Sequence, residues 1–184
     1  HRHLILPNFG IEGQLKLKAA RVLVVGAGGL GCPVLQYLVA AGVGNIGIMD
    51  FDVVDESNLQ RQILYSVDDI GEAKVKVAKR KLSALNPNIN ITIFQEQLTR
   101  DNIERIFENF DIIADGTDNF DTRYLINDAC VLFDKINVFG SIFRFEGQVS
   151  VFNYLQNDGI RSTNYRDLFP EPPEAGLIPN CAEG

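Results

Sequence analysis

Short unbroken runs of apolar residues alternate along this chain with longer stretches whose apolar positions recur every three or four residues. Val22 to Val25 is apolar throughout, so a strand there needs cover on both faces. Leu30 to Ala41 has helical periodicity, and Asn45 to Met49 returns to a short apolar run. Gly71 and Glu72 introduce a helix with Val75, Val77, Ala78, Leu82 and Leu85 as its apolar positions, and Asn86-Pro87 stops it. Ile89 to Phe94 alternates as a strand does, with Ile89, Ile91 and Ile93 on one face. Thr99 is a candidate N-cap for a helix over Arg100 to Phe107, and Phe110 to Ala114 reads as a further buried strand. Phe120 to Lys135 reads as a helix and Ile136 to Gly140 as a strand. Phe145-Glu146-Gly147 then suits a turn into a last strand, Gln148 to Tyr154. Ahead of all these, Gly10 to Ala20 forms a short helix with Ile11, Leu15 and Leu17 inward. From Leu155 onward the chain is polar and proline-rich, with no element to place.

Strands that alternate with helices require a mostly parallel sheet joined by right-handed crossovers. The fold class is therefore α/β, a Rossmann-like doubly wound sheet. Its last strand follows too closely for a crossover and should be antiparallel, at the C-terminal side. The 184 residues make one domain, with 46% hydrophobic content to fill a core. The segment from Asp50 to Lys74 is polar and acid-rich, anchored by Val53, Val54 and Leu59, and a loop of that length is functional or disordered.

Gly26, Gly28 and Gly31 fall at the G-x-G-x-x-G spacing between the first strand and its helix. In such a loop the first glycine permits the tight turn, the second lets the chain approach a ligand, and the third lets helix and strand pack closely. The helix start then offers unpaired N–H groups and a partial positive charge to an anion. Asp50 lies nineteen residues after Gly31, where an acid that binds ribose sits in a nucleotide fold. The loop by itself does not choose between NAD and ATP.

Charge changes the picture of partners. A net charge of −7 argues against nucleic acid and against an anionic membrane, and no apolar run is long enough to span a bilayer. The start has no leader pattern and no Met, which suggests a chain that begins inside a longer one. Cys32, Cys130 and Cys181 are far apart, which suggests a reducing cytoplasm; Cys32 and Cys130 fall in helices as small core residues.

In an open α/β sheet the ligand sits beyond the carboxyl ends of the strands, so Asp50, Asp115 and Asp118 should converge on the glycine loop. Three carboxylates beside phosphates call for a cation, and Mg²⁺ suits that role. Asn58, Arg61 and Gln62 lie in the long loop and Lys74 opens the next helix, where Arg61 and Lys74 can neutralise phosphate charge. A dehydrogenase would need an acid or base near a nicotinamide, and the histidines are His1 and His3 alone. That favours ATP over NAD. The rivals are an NAD(P)-binding oxidoreductase and a non-catalytic nucleotide-binding scaffold.

The segments GAGGLGCP (Gly26 to Pro33), MDFDVVDESNLQRQ (Met49 to Gln62), GEAK (Gly71 to Lys74) and DGTDN (Asp115 to Asn119) together resemble the MoeB/ThiF family. These are ubiquitin-activating-enzyme-like adenylyltransferases of ubiquitin-fold sulfur carriers. RHLILP (Arg2 to Pro7) and FRFEGQVSVF (Phe143 to Phe152) also match.

The resemblance implies one ATP-binding adenylyltransferase domain, in molybdopterin or thiamin-thiazole synthesis. In it the Gly-Gly carboxylate of a carrier attacks the α-phosphorus of ATP. It further implies that Asp50 holds the ribose hydroxyls, that Gly29 lies at the phosphates with Asn58, Arg61 and Lys74, and that Asp118 holds Mg²⁺. Gly26, Gly28, Gly31, Asp52, Gln62 and Asn119 complete the nucleotide site. Arg2 would reach the phosphates from the other subunit of a homodimer, and Cys181 would take a thioester or disulfide role. Where most relatives carry Cys-x-x-Cys of a structural zinc site, this chain has Asn164 and Asp167, poor substitutes for thiolates, so no zinc is expected. Further helices are expected after Gly184.

Overall fold

The computed structural model describes residues 3–173. Its centre is a six-stranded sheet in the order β3-β2-β1-β4-β5-β6. The strands are β1 (Arg21–Val25), β2 (Asn45–Met49), β3 (Asn90–Phe94), β4 (Ile112–Asp115), β5 (Ile136–Phe143) and β6 (Glu146–Phe152). The first five run parallel and β6 pairs antiparallel with β5. This is the doubly wound order in which the chain reverses direction between β1 and β4, as the alternation of elements requires.

Two layers of side chains follow from strand parity. Val22 and Val24 of β1, with Ile46 and Ile48 of β2, enter one core beneath α2 (Gly31–Ala41) and α3 (Lys74–Leu85). Leu23 and Val25 enter a second core with Ile113, beneath α4 (Ile103–Phe107) and α5 (Phe120–Leu132). Cys32 and Cys130 are buried, one in each core. A third cluster, Tyr124, Phe139, Phe152 and Tyr165, packs behind the β5–β6 hairpin. No helix among the described residues is long and apolar enough to cross a membrane.

Several boundaries differ from expectation for local reasons. In α1 (Gly10–Ala19), Ile11 and Leu15 are exposed, and Leu17 is the residue packed against the first core. Helix α3 begins at Lys74 because Gly71 is left-handed and Ala73 is extended in a bridge to Val53. Helix α4 begins at Ile103 because the Asn102 side chain accepts the Thr99 N–H at 2.8 Å, making a turn where the first helical turn was expected. Helix α5 stops at Leu132, before a left-handed Asp134. Strand β5 runs on to Phe143, and the turn lies at Arg144-Phe145, with Arg144 at φ 53°. Beyond the sheet lies α6 (Tyr165–Leu168), where none was expected.

The long segment after Asp50 is ordered. It holds two short 3-10 helices, Glu56–Asn58 and Val67–Asp69, and its base is closed by Val54 N–H to Glu72 O (2.8 Å) and Gly71 N–H to Val54 O (2.9 Å). Asp69 is buried and is held by Arg80 (2.7 Å) and by Lys81, both on α3. Burial works to raise its pKa, but hydrogen bonds from Lys81 and Ser66 outweigh it and hold the carboxyl at about 2.

A carboxyl depressed in the folded state stabilises above its unfolded value of about 3.9, and that contribution is lost as pH falls through about 2. Asp69→Asn should therefore cost about 2 kcal/mol at neutral pH, and the gap to wild type should shrink between about pH 4 and 2. Urea unfolding of both proteins across that range measures it; a gap independent of pH would show that the charge of Asp69 is not what holds the loop.

Candidate functional site

The loop after β1 is built by backbone contacts that only glycine permits. Gly26 has φ +91°, and a Cβ there would lie 2.7 Å from the Gly116 carbonyl oxygen. At Gly31 a Cβ would lie 1.9 Å from the Gly26 carbonyl oxygen, so strand and helix touch backbone to backbone. Leu30, at the N-cap of α2, makes no side-chain cap hydrogen bond. The helix dipole is thus left to whatever occupies the space before it.

Between these contacts the Ala27 peptide is gripped from both sides. Its N–H donates to Asp50 Oδ2 (2.8 Å), and its carbonyl accepts from Tyr65 Oη (2.8 Å) and Cys32 Sγ (3.3 Å). Burial pushes the Cys32 thiol up, so it is a buried donor and not a nucleophile.

A cleft of about 760 Å³ opens beyond the carboxyl ends of β1, β2 and β4. Gly26, Gly28, Gly29, Asp50, Asp52, Asn58, Arg61, Gln62, Lys74, Asp118 and Asn119 line it, and Gly31 stands behind the loop. Asp50 keeps lone pairs for a ligand although Oδ1 accepts the Asp52 N–H and Oδ2 the Ala27 N–H, each at 2.8 Å. Lys74 is buried at 4% exposure and its Nζ lies 3.0 Å from Asp52 Oδ2. The stem of Arg61 crosses Gly29, where a Cβ would meet Arg61 Cγ at 3.4 Å. Gln62 Nε2 donates to Asn58 Oδ1 (2.8 Å), and its buried Oε1 has no partner among the described residues. Asn119 lines the cleft while its Oδ1 caps α5 through the Thr122 N–H (2.9 Å).

Two residues correct the sequence reading. Asp115 does not join the cleft: it turns inward, and its Oδ1 accepts the Thr117 N–H (2.9 Å) and hydroxyl (2.6 Å). Burial raises its pKa. Arg123, which the sequence reading passed over, does line the cleft. It is buried between the Phe120 and Phe139 rings, 5.1 and 5.0 Å away, and its Nη2 donates to Thr117 O (3.1 Å). An arginine among Phe120, Tyr124 and Ile126, on the apolar stripe of a helix, was the available signal. A second groove of about 390 Å³ adjoins the cleft and shares Phe120, Arg123, Ser141 and Phe143 with it. Asn164 and Asp167, at the zinc positions of the resemblance, form the capping box of α6. Arg2 and Cys181 lie outside the described residues.

The sequence profile of the ThiF family matches residues 1–184. The probable adenylyltransferase/sulfurtransferase MoeZ of Mycobacterium tuberculosis is 57% identical over 183 residues, covering 100% of this chain and 46% of the relative. The sulfur carrier protein adenylyltransferase of Thermus thermophilus is 52% identical over 183 residues, covering 100% of this chain and 68% of the relative. Among solved structures, E. coli MccB with ATP is 31% identical with a TM-score of 0.66, covering 70% of this chain and 38% of that one. PaaA is 27% identical with a TM-score of 0.73, covering 84% of this chain and 46% of that one. The chain spans about half the length of the mycobacterial relative.

The loop geometry separates two glycines that a motif treats alike. Gly31→Ala drives a Cβ into backbone and should prevent stable folding, whereas Gly28→Ala meets nothing nearer than Gln62 Nε2 at 3.6 Å and should fold. In a glycine loop of this spacing the second glycine is where a phosphate would approach, so a methyl at Gly28 is expected to lower nucleotide affinity about tenfold or more. Circular dichroism and titration with ATP read the two effects; unchanged affinity in a folded Gly28→Ala protein would remove the loop from the ligand site.

Proposed function

The chain belongs to the ThiF family, and on that premise we propose that it catalyses ATP-dependent adenylation of the C-terminal Gly-Gly carboxylate of a ubiquitin-fold sulfur carrier. The carrier is of the molybdopterin or thiamin-thiazole type. Relatives named as sulfur carrier and molybdopterin-synthase adenylyltransferases support the reaction class, and a neighbour crystallised with ATP supports the nucleotide. One observation of this chain carries the reading. The glycine loop, Asp50, the cations Arg61 and Lys74, and Asp118 all line a single cleft at the switch point of the sheet.

In this reading the phosphates lie over Gly28 and Gly29 and the ribose hydroxyls donate to Asp50. Arg61 and Lys74 hold phosphate oxygens, and Asn58 and Gln62 place amide donors beside them. Lys74 carries three N–H donors, so one can reach a phosphate while another stays on Asp52. Asp118, a hard carboxylate on the same cleft, suits Mg²⁺ shared with the phosphates, which when bound offsets negative charge on phosphate oxygens. A carboxylate oxygen of the carrier attacks the α-phosphorus. The bond from that phosphorus to the bridging oxygen breaks, and pyrophosphate leaves with the electron pair. What the protein supplies is alignment and fixed positive charge.

The functional unit in this reading is a homodimer in which Arg2 of each chain enters the other's site. Leu4, Ile5, Leu6, Ile11 and Leu15, which follow Arg2 in the sequence, are exposed apolar side chains, and that supports a docked partner there.

Lys74→Ala and Asp118→Ala should each lower carrier-dependent ATP–pyrophosphate exchange by two or more orders of magnitude, about 3 kcal/mol, with the fold intact. Exchange near the wild-type rate in either variant, with unchanged circular dichroism, would end the assignment.

Subunit mixing tests Arg2. Arg2→Ala and Lys74→Ala should each be nearly inactive alone. Random mixing makes about half the dimers mixed, and each mixed dimer keeps one complete site, so activity should return to about a quarter of wild type. No recovery after demonstrated subunit exchange would put Arg2 outside the partner's site.

A further inference from the structure

Arg123 is 6% exposed, yet its charge is poorly answered by its surroundings. A guanidinium presents five N–H donors. Here Nη2 reaches Thr117 O at 3.1 Å, while Nε is buried with no hydrogen-bond partner among the described residues. Asp115 Oδ2 lies 4.0 Å from Nε and is itself buried with no hydrogen-bond partner among the described residues. Burial raises the pKa of the Asp115 carboxyl, against the pull of the Thr117 hydrogen bonds and of Arg123 itself. The flanking rings of Phe120 and Phe139 attract the cation, but by less than desolvating a guanidinium costs. A buried cation held so incompletely is suited to an oxyanion that arrives with a substrate.

Its place in the fold says which one. Arg123 stands where the cleft and the adjoining groove meet and lines both. The phosphate side of the cleft is furnished separately, by the glycine loop, Arg61 and Lys74. The groove beyond Arg123 is walled by Tyr124, Tyr165 and Phe169 together with Glu146, Gln148 and Glu171, a mixed surface that suits a peptide chain and would repel a triphosphate. Building on the adenylation reading, we infer that Arg123 receives the free C-terminal carboxylate of the carrier's tail where the groove opens into the nucleotide cleft. The guanidinium, fixed between two rings with Nη2 already on Thr117 O, holds one carboxylate oxygen through an N–H that remains and leaves the other oxygen for attack. It also offsets the repulsion between the carboxylate and the anionic α-phosphate.

The experiment compares two probes on the full-length protein loaded with α,β-methylene-ATP, which blocks turnover. One is a ubiquitin-fold sulfur carrier ending in Gly-Gly with its free carboxylate; the other is the same carrier with a terminal carboxamide. Calorimetry should show wild type favouring the acid by roughly ten- to a hundredfold. Arg123→Gln should reduce that preference to about twofold or less, with nucleotide affinity within about threefold of wild type. Arg123→Lys, which keeps charge but loses the fork, should fall between, and it serves as the reading if Arg123→Gln fails to fold by circular dichroism.

Equal binding of acid and amide by wild type would overturn the inference, as would an intact preference in both variants. A loss of nucleotide affinity as large as the loss of preference would assign Arg123 to phosphate instead. Wild type that binds the nucleotide analogue and the carrier but shows no pyrophosphate exchange with ATP would sink the adenylation reading by a separate route.

Discussion

The carbonyl oxygen of Gly26 occupies the space that a side chain on residue 31 would need, with a Cβ only 1.9 Å away. That contact fixes how α2 leaves β1, and much of the molecule follows from it. Because β1 lies between β2 and β4, a helix forced to start hard against its end points its N-terminus into the crevice where the sheet order reverses. The Gly116 carbonyl packs on Gly26 in the same fashion, drawing the turn after β4 against the loop from the other side. Both walls of the crevice are thus set by backbone, which cannot change rotamer. Side chains are then added to a rigid frame, the condition under which positioning contributes to catalysis.

A chain of net charge −7 gathers the cations Arg61, Lys74 and Arg123 around one cleft by local folding and not by composition. The segment after Asp50 leaves the sheet, turns through two 3-10 helices, and is returned to its origin by the Val53–Ala73 bridge. That closure delivers Lys74 beside Asp52, and Asp52 beside Asp50, so three groups from the two ends of a long excursion act together. The buried Asp69, held by Arg80 and Lys81, fastens the excursion to the helix that begins with Lys74. The stability of the loop and the position of the lysine are therefore one problem.

Wherever burial was two-sided, the sequence was easy to read. Runs such as Val22 to Val25 can only be covered strands, and the glycine spacing has one structural solution once strand and helix flank it. An amphipathic stretch is harder to read where its apolar face meets no partner among the described residues: Ile11 and Leu15 have helical spacing but are exposed, because periodicity reports a face and not what covers it. Helix α6 was missed because four residues show no period. Its signal is a capping box: Asn164 and Asp167, poor zinc ligands, have the spacing of a helix start.

The aspartates of one pentapeptide show most clearly what parity decides. Asp115 is the last residue of β4 and stands two places after Ile113, so its side chain falls on the same face, beneath α5. There it closes the turn through Thr117 and faces Arg123, and its burial is a consequence of strand register, not of ligand chemistry. Asp118 lies past the strand, where the pleat no longer dictates direction, and it lines the cleft. Two carboxylates three positions apart in one motif therefore divide into a structural and a solvent-facing group. Arg123, one helical turn into α5, connects them: it grips the carbonyl of Thr117 between the two. The turn is then held from below by a cation that also lines the cleft, so Arg123 is registered against Asp118 through a single intervening residue.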